Sequence, residues 1–128
     1  MTFVDTNVFM YAVGRPHPLR DEAREFFRAA LAEGEPLVTS VEVLQELMHA
    51  YLPVGRFATL DSALTLARAR MESIWSLDIE DLELARALTD VEEGLGARDL
   101  IHLASSRRRG VRTVKTFDRG LAAASDRL

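Results

Sequence analysis

Short apolar runs that alternate with longer amphipathic segments constrain the fold of this chain more than any other feature. The runs are too short for helices and rich enough in branched and aromatic residues for buried strands; they are TFVD, PLVTS, SIWSLD and VRTVKTF. The segments between them carry apolar residues at the spacing of one helix face. Strands joined by helical crossovers form a mostly parallel sheet covered on both faces. The sequence therefore predicts an α/β fold with a short, mostly parallel sheet of four to five strands and helices on both faces.

The ends of several helices can also be predicted. Gly34 closes the amphipathic segment LRDEAREFFRAALAEG, as glycine often does at a helix C-terminus. Ser40 directly precedes VEVLQELMHAYL, so we expect its side chain to cap that helix. Asp78 opens IEDLELARALTDVEEG, which predicts one helix that ends in solvated acids, among them Glu92, before Gly94. Further helices are expected over ARDLIHLASSRRR and after Asp118.

Composition excludes several classes of protein. The chain has 128 residues, the size of one ordinary domain, and it has no cysteine, which excludes disulfides, thiolate nucleophiles and cysteine-ligated zinc. It shows no apolar run long enough to span a bilayer and no signal-peptide pattern, so we expect a cytoplasmic protein with no membrane contact. The net charge of −4 argues against a generally cationic surface, but it leaves room for a nucleic-acid partner that binds a local basic face.

An acid stands in an unexpected place in the first apolar run. Asp5 interrupts the stretch FVDTNVFMY, in which Phe3, Val4, Val8 and Phe9 all favour burial. A lone buried carboxylate is costly unless another group pairs with it. The position of Asp5 therefore predicts partners elsewhere in the chain.

Three further acids are expected at the same edge of the sheet. Asp118 follows the last predicted strand as Asp5 follows the first, and Glu46 lies in the first two turns of the helix after the second strand. Asp99 lies in the first turn of the helix that leads into the last strand, and such a helix starts at the carboxyl edge of a parallel sheet. The functional crevice of such folds lies outside this edge.

Several carboxylates in one cleft favour a hard divalent cation. Their mutual repulsion raises some of their pKa values unless a cation compensates it. Mg²⁺ and Mn²⁺ take oxygen ligands and keep waters for substrate phosphates. The four acids therefore predict a Mg²⁺- or Mn²⁺-dependent phosphodiesterase.

Other roles for these acids stay open at this point. Glu42, one turn before Glu46, is a rival for its place. Acids near a helix start are also favoured by the helix dipole or as caps, so Asp99 and Asp118 can serve both as helix-start residues and as ligands.

We predict different roles for the histidine and the arginines near the acids. His102 shares a helix face with Asp99, but nitrogen is not the ligand that Mg²⁺ prefers, so we assign it no chemistry. The arginines at 107–109 are expected to be solvated at a helix C-terminus, away from the acids. Arg15 and Arg119 lie closer in sequence to the acids and are the better candidates for binding substrate phosphates.

Four blocks of the sequence also resemble a known family. In chain order they are VDTNVFMYAV, TSVEVLQEL, ARDLIHLASSRRRG and TVKTFDRGL. They resemble the PIN domains, and most closely the VapC toxins of bacterial toxin–antitoxin pairs. The blocks extend over nearly the whole chain, so the resemblance implies a single PIN domain over residues 1–128.

The resemblance assigns roles to individual residues. It matches Asp5, Glu46, Asp99 and Asp118 to the metal-binding acids of the family, and it matches Thr6, Asn7, Ser40 and Thr116 to positions that support them. One departure is Phe117, where many relatives have a smaller residue, and we expect it to tighten the cleft.

The resemblance also implies an activity and partners: a metal-dependent endoribonuclease that cuts single-stranded or structured RNA, forms a homodimer and is inhibited by a VapB-like antitoxin. Two other functions were weighed against it. A non-catalytic PIN-fold interaction module would be favoured by the loss of an acid, and none is lost. A DNA-directed nuclease stays open, because the same metal chemistry cuts both backbones and only contacts to the 2′-hydroxyl discriminate.

Overall fold

The predicted strands form one sheet in the computed structural model of the chain, which describes residues 1–127 and leaves Leu128 outside. Its strands are β1 (Thr2–Val4), β2 (Leu37–Ser40), β3 (Ser73–Trp75) and β4 (Thr113–Lys115). All neighbouring strands pair in parallel, in the order β3-β2-β1-β4. The predicted α/β fold with a short parallel sheet is confirmed, at four strands within the described residues.

Seven helices within residues 1–127 cover this sheet. They are α1 (Thr6–Val13), α2 (Arg20–Glu33), α3 (Val41–Tyr51), α4 (Phe57–Arg70), α5 (Ile79–Leu88), α6 (Ala97–Arg108) and α7 (Arg119–Asp126). The chain moves from β1 to β2 and β3 in one direction, and β4 returns to the other side of β1. Right-handed crossovers therefore put α1 to α4 on one face and α5 and α6 on the other.

The reversal of strand order fixes where a site can form. β1 lies between β2 and β4, and the order reverses at β1. Ligands of open α/β sheets bind at such a switch point, outside the carboxyl ends of the strands. Asp5 directly follows β1, and Thr116 directly follows β4, so both residues lie at this point.

The apolar core consists of two clusters. The larger cluster contains Phe3, Phe9 and Leu47, all without exposed surface. The smaller cluster is formed by α5, α6 and α7 and includes Leu103 and Leu121. Within residues 1–127, no helix combines the length and the apolar character that crossing a bilayer requires.

Two predicted helix ends differ in the structure. Ser40 is the N-cap of α3, but its hydroxyl accepts no hydrogen bond from that helix, so the predicted side-chain cap is wrong. Helix α5 ends at Leu88 and does not continue to residue 93. Glu92, beyond this end, is not solvated as predicted, because its buried carboxylate pairs with Arg127 and lies 3.8 Å from Arg107.

The arginines that end α6 pair with acids, which the prediction of a solvated cluster did not include, although Arg108 itself stays exposed. Arg108 and Arg109 donate to the Oδ1 atom of Asp81 at 2.6 and 2.9 Å, and the Arg109 guanidinium stacks over Trp75 at 4.8 Å. Asp81 is fully buried and also accepts the backbone N–H of Asp78. Burial alone would raise the pKa of Asp81, but the hydrogen bonds from Arg109 and the Asp78 backbone outweigh it and lower the pKa.

This buried ion pair leads to a stability prediction. We expect Asp81→Ala to lower the free energy of unfolding by about 3 kcal/mol, because it leaves two guanidinium groups without their buried counter-charge. Urea unfolding measures the difference. The matched control is Asp90→Ala, which removes an exposed pair with Arg86 and should cost less than about 1 kcal/mol. Equal losses in the two variants would contradict the prediction.

Candidate active site

Asp5 is the most deeply buried of the four predicted acids. Its exposed fraction is 4%, and it accepts two hydrogen bonds at 2.7 Å, from the backbone N–H of Thr6 to Oδ1 and from the Thr116 hydroxyl to Oδ2. Burial raises the pKa of Asp5 above its ordinary 3.8, although the nearby imidazole of His102 and the Thr116 hydroxyl act in the opposite direction. The carboxylate is thus held firmly but lacks full charge compensation.

Glu46 lies beside Asp5 and is held on both oxygens. The Thr6 hydroxyl donates to its Oε2 atom at 2.5 Å, and Nε2 of His102 lies 2.7 Å from its Oε1 atom. The same Nε2 atom is 3.6 Å from Oδ1 of Asp5. The structure therefore brings Glu46 into the site, one turn beyond its rival Glu42.

The contact between Glu46 and His102 shifts both pKa values. Burial acts to raise the pKa of Glu46, but the hydrogen bond and the charge of His102 outweigh it and lower the pKa. Burial acts to lower the pKa of His102, and its hydrogen bond to Glu46 and the charge of Asp5 outweigh it and raise the pKa. An imidazolium paired with a carboxylate is the state that these shifts favour.

Asp99 lies in the first turn of α6 and is half-buried. Burial and the charges of the Asp5 and Asp118 carboxylates together raise its pKa from 3.8 to about 6, with burial as the largest cause. Mutual influence of this kind requires the acids to lie close together. The structure thus brings the four predicted carboxylates to the carboxyl edge of the sheet.

Asp118 occupies the rim of this group. Its side chain is exposed and caps α7, with Oδ1 accepting the Leu121 N–H at 2.9 Å. Its own N–H donates to the Thr116 hydroxyl at 3.0 Å. The capping role that the sequence left open is therefore present, together with the charge that acts on Asp99.

Three of the four predicted supporting residues connect the acids to one another. Thr6 contacts both Asp5 and Glu46, as described above. The Asn7 amide donates to the Thr116 hydroxyl at 3.2 Å and accepts the N–H of Phe117 at 3.1 Å, which joins α1 to the end of β4. Ser40 differs, because its buried hydroxyl has no hydrogen-bond partner within residues 1–127.

The group fits a divalent cation. A carboxylate oxygen of Asp5, one of Glu46 and a ring nitrogen of His102 lie within 4.8 Å of one another. The carboxylates of Asp5, Glu46 and nearby Asp99 are the groups that could hold the ion, whereas His102 pairs with Glu46. Burial is the main reason that the pKa values of Asp5 and Asp99 are raised, and neighbouring carboxylates add to both shifts; a bound cation would favour the charged form of both acids. Carboxylate and hydroxyl oxygens are the donors that hard cations such as Mg²⁺ and Mn²⁺ prefer.

The sequence pattern gave no role to two residues that the structure places at the site. His102 contacts two of the acids, and its spacing of three residues from Asp99 on one helix face was the available signal. Arg98, next to Asp99, helps to lower the pKa of Glu46. The two arginines proposed for phosphate binding lie at the margins: Arg15 lines a cavity that begins at Asn7, and Arg119 is exposed beside Asp118.

Comparison with known proteins gives the class to which this fold and site belong. The family model of the PIN domain matches residues 2–126, and the chain belongs to the PIN domain family. Among its curated relatives, Ribonuclease VapC23 of Mycobacterium tuberculosis is 60% identical over 97% of this chain and 98% of its own. Ribonuclease VapC13 of the same organism is 34% identical over 94% and 92% of the two chains. The chain is thus a VapC-type PIN domain protein.

Solved structures show the same fold. The crystal structure of VapC20 of Mycobacterium tuberculosis, described as a Sarcin-Ricin loop cleaving toxin, has a TM-score of 0.79 at 18% identity and covers 97% of this chain and 95% of its own. VapBC2 from Rickettsia felis, bound to a promoter DNA fragment, has a TM-score of 0.70 at 21% identity, with 91% and 87% covered.

The raised pKa of Asp99 leads to a prediction about pH. Its folded pKa of about 6 lies above the ordinary 3.8, so the folded state binds this proton more tightly than the unfolded state. Relative to Asp99→Asn, the metal-free wild type should therefore lose free energy of unfolding as pH rises through this interval. Urea unfolding of both proteins in chelator, from about pH 4 to about pH 7, measures the difference. A gap between the proteins that stays constant over this range would contradict the prediction.

Proposed function

We propose that this chain is a Mg²⁺- or Mn²⁺-dependent endoribonuclease of the VapC type, which hydrolyses phosphodiester bonds of single-stranded or structured RNA. The observation that carries the proposal is the group of four carboxylates at one edge of the sheet, among which Asp99 has a pKa of about 6. The names of the curated relatives support RNA as the substrate. Four acids around a phosphate would repel it, so the activity needs a cation at this place.

Each of the four acids has a proposed role in holding the cation. Asp5 and Asp99 are proposed as the principal cation ligands, and Glu46 and Asp118 complete the site directly or through waters. A bound divalent ion lowers the pKa of water and neutralises charge that develops on a phosphate. The two hydrogen bonds from Thr6 and Thr116 fix the Asp5 carboxylate in place, so it needs little reorganisation during the reaction.

Hydrolysis in this site has an expected product. No residue of the site has to activate the ribose 2′-hydroxyl, so water is the nucleophile and attacks the phosphorus in line with the leaving oxygen. The products then carry a 5′-phosphate and a 3′-hydroxyl. DNA would react in the same way, and the relatives' names are what favour RNA over DNA.

The first test of this proposal is Asp5→Asn. We expect purified protein to cut single-stranded RNA only with Mg²⁺ or Mn²⁺, and we expect Asp5→Asn to reduce cleavage to background, because the change removes the charge that a hard cation needs. Gel analysis of end-labelled RNA measures both effects. The control variant is Asp61→Asn, an exposed residue of α4, which should cut at the wild-type rate.

Thermal unfolding shows whether loss of cleavage reflects loss of the cation or of the fold. At about a hundredfold excess over its dissociation constant, a cation that binds only the folded protein adds about 2–3 kcal/mol. Wild type and Asp61→Asn should therefore melt at a higher temperature with Mn²⁺, and Asp5→Asn should lose most of this shift. Undiminished cleavage by folded Asp5→Asn, or by wild type in excess chelator, would overturn the proposal.

We also propose a homodimer and an inhibitory VapB-like antitoxin as partners. Solved structures with this fold support an antitoxin, since they include VapBC2 and FitAB assemblies bound to DNA. Exposed apolar side chains support a further interface: Met48, Leu52, Val54 and Phe57 are 41–67% exposed within one stretch of chain. Grouped apolar surface of this kind marks interaction sites.

The dimer can be tested on the purified chain alone. At micromolar concentration, light scattering should report twice the mass of one 14.3 kDa chain, because an isologous interface would cover the exposed apolar residues. Replacing Val54 and Phe57 by serine should shift the distribution toward monomer. A wild-type protein that stays monomeric under these conditions would contradict the prediction.

A further inference from the structure

A cavity next to the acidic group is lined in part by Asn7, one of the residues that support the acids. The cavity measures about 360 Å³, and we name it the aromatic cavity; its wall includes Asn7, Tyr11, Arg15, His17, Tyr51 and Arg56. Asn7 belongs both to this wall and to the supporting contacts, because its amide bonds Thr116, which in turn bonds Asp5. The aromatic cavity therefore adjoins the place where the cleaved phosphate would lie.

Aromatic rings form much of this wall. The ring of Tyr11, one helical turn beyond Asn7, lies 4.6 Å from the ring of His17 at an angle of 35°. The ring of Phe117 packs against Tyr11 edge-on at 5.4 Å and supports it from the side of the acids. The guanidinium of Arg56 lies over the ring of the buried Tyr51, 5.4 Å from the ring centre. Packing orients the rings of Tyr11, Phe117 and Tyr51, whereas the exposed His17 ring accepts the N–H of Leu19 on Nδ1 at 3.1 Å.

The charges of the aromatic cavity are positive and free of carboxylate partners. Neither Arg15 nor Arg56 forms an ion pair with an acid in the part of the chain that the structure describes, unlike the arginines at the end of α6. Arg56 makes one long hydrogen bond, of 3.3 Å, to Thr59. Two guanidinium groups on an otherwise apolar and aromatic wall are thus available for an anion.

We infer that the aromatic cavity binds one nucleotide next to the cleaved phosphate, with its base against Tyr11 and His17 and its phosphate on Arg15 or Arg56. This inference rests on the proposed function and specifies how that site would hold its substrate. Single-stranded RNA is recognised by stacking its unpaired bases on aromatic and guanidinium planes. The cavity offers both kinds of plane and anion-binding groups.

The size and position of the cavity favour a nucleotide over other ligands. Its volume lies at the lower end of the range for small-molecule sites, about 300–1,000 Å³. The nucleotide next to the cleaved phosphate is covalently held beside the acids by its own strand. A free metabolite has no such connection to the proposed reaction. A protein segment with apolar and acidic side chains would meet the same wall, so it becomes an outcome of the test.

The test separates base stacking from phosphate binding. Fluorescence anisotropy measures the binding of labelled single-stranded decaribonucleotides of mixed sequence, and of ribose–phosphate decamers that lack bases, to Asp5→Asn protein, which holds RNA without turnover. We expect the RNA to bind about tenfold more tightly than the abasic oligomer. Adding Tyr11→Leu or His17→Ala should reduce this preference to near one, and adding Arg56→Gln should weaken both ligands equally.

Matched controls exclude general effects of the substitutions. Phe26→Leu changes a half-buried aromatic residue of α2 that lies outside the cavity wall, and Arg68→Gln changes an exposed cation of α4. Both should keep the wild-type preference for bases. His17→Ala keeps the experiment decisive if Tyr11→Leu unfolds, because His17 is exposed.

Three results would overturn the inference. The first is an equal affinity for RNA and abasic oligomer in the starting protein. The second is a base preference that His17→Ala and folded Tyr11→Leu leave intact. The third is unchanged RNA binding by the cavity variants together with loss of co-purification with a co-expressed antitoxin, which would assign the cavity to a protein segment. Cleavage is not needed for any of these readings, so a failure of the proposed ribonuclease activity would be seen separately, in the Asp5→Asn experiment.

Discussion

The buried carboxylate of Asp5 is the constraint on which the rest of the structure depends. It stands at the end of the central strand, where a lone negative charge would cost several kcal/mol. Its two hydrogen bonds come from the next residue, Thr6, and from Thr116, which directly follows the neighbouring strand β4. A third contact comes from His102 on α6, whose Nε2 atom lies 3.6 Å from Oδ1 of Asp5. Burying Asp5 therefore requires β1, β4 and α6 to meet, which is the same requirement as forming the site.

The acids of the site are not equivalent, because they differ in how far hydrogen bonds and the charge of His102 offset the cost of burial. Glu46 is held by Thr6 and by His102, and its pKa is lowered. Asp5 and Asp99 have raised pKa values. The uncompensated charge is thus concentrated on two carboxylates at the switch point of the sheet. The geometry gives Glu46 a fixed orientation and leaves Asp5 and Asp99 with the greater need for a cation.

The sequence predicted those features that depend on strand ends and helix periodicity. The convergence of Asp5 and Asp118 follows from the rule that parallel strands end at one edge, which needs no knowledge of side-chain contacts. The contacts of Asp81 and Glu92 could not be predicted in this way. Their arginine partners lie 27 to 35 residues away, and only tertiary packing shows which arginine meets which acid. His102 lies between the two cases, because its helix face was predictable and its contact with Glu46 was not.

The order of the strands also governs when the site can come into existence during synthesis. The hydrogen bonds of Thr116 to Asn7 and to Asp5 join residues 109 and 111 positions apart, and β4 is the last strand to be made. A ribosome produces Asp5 and Glu46 early, but a nascent chain that has not yet reached β4 lacks the Thr116 hydroxyl that holds Oδ2 of Asp5. The carboxylates can therefore assemble only after β4 and Asp118 have been made and have left the ribosome's exit tunnel. Translation that stops early releases fragments in which the four acids never meet.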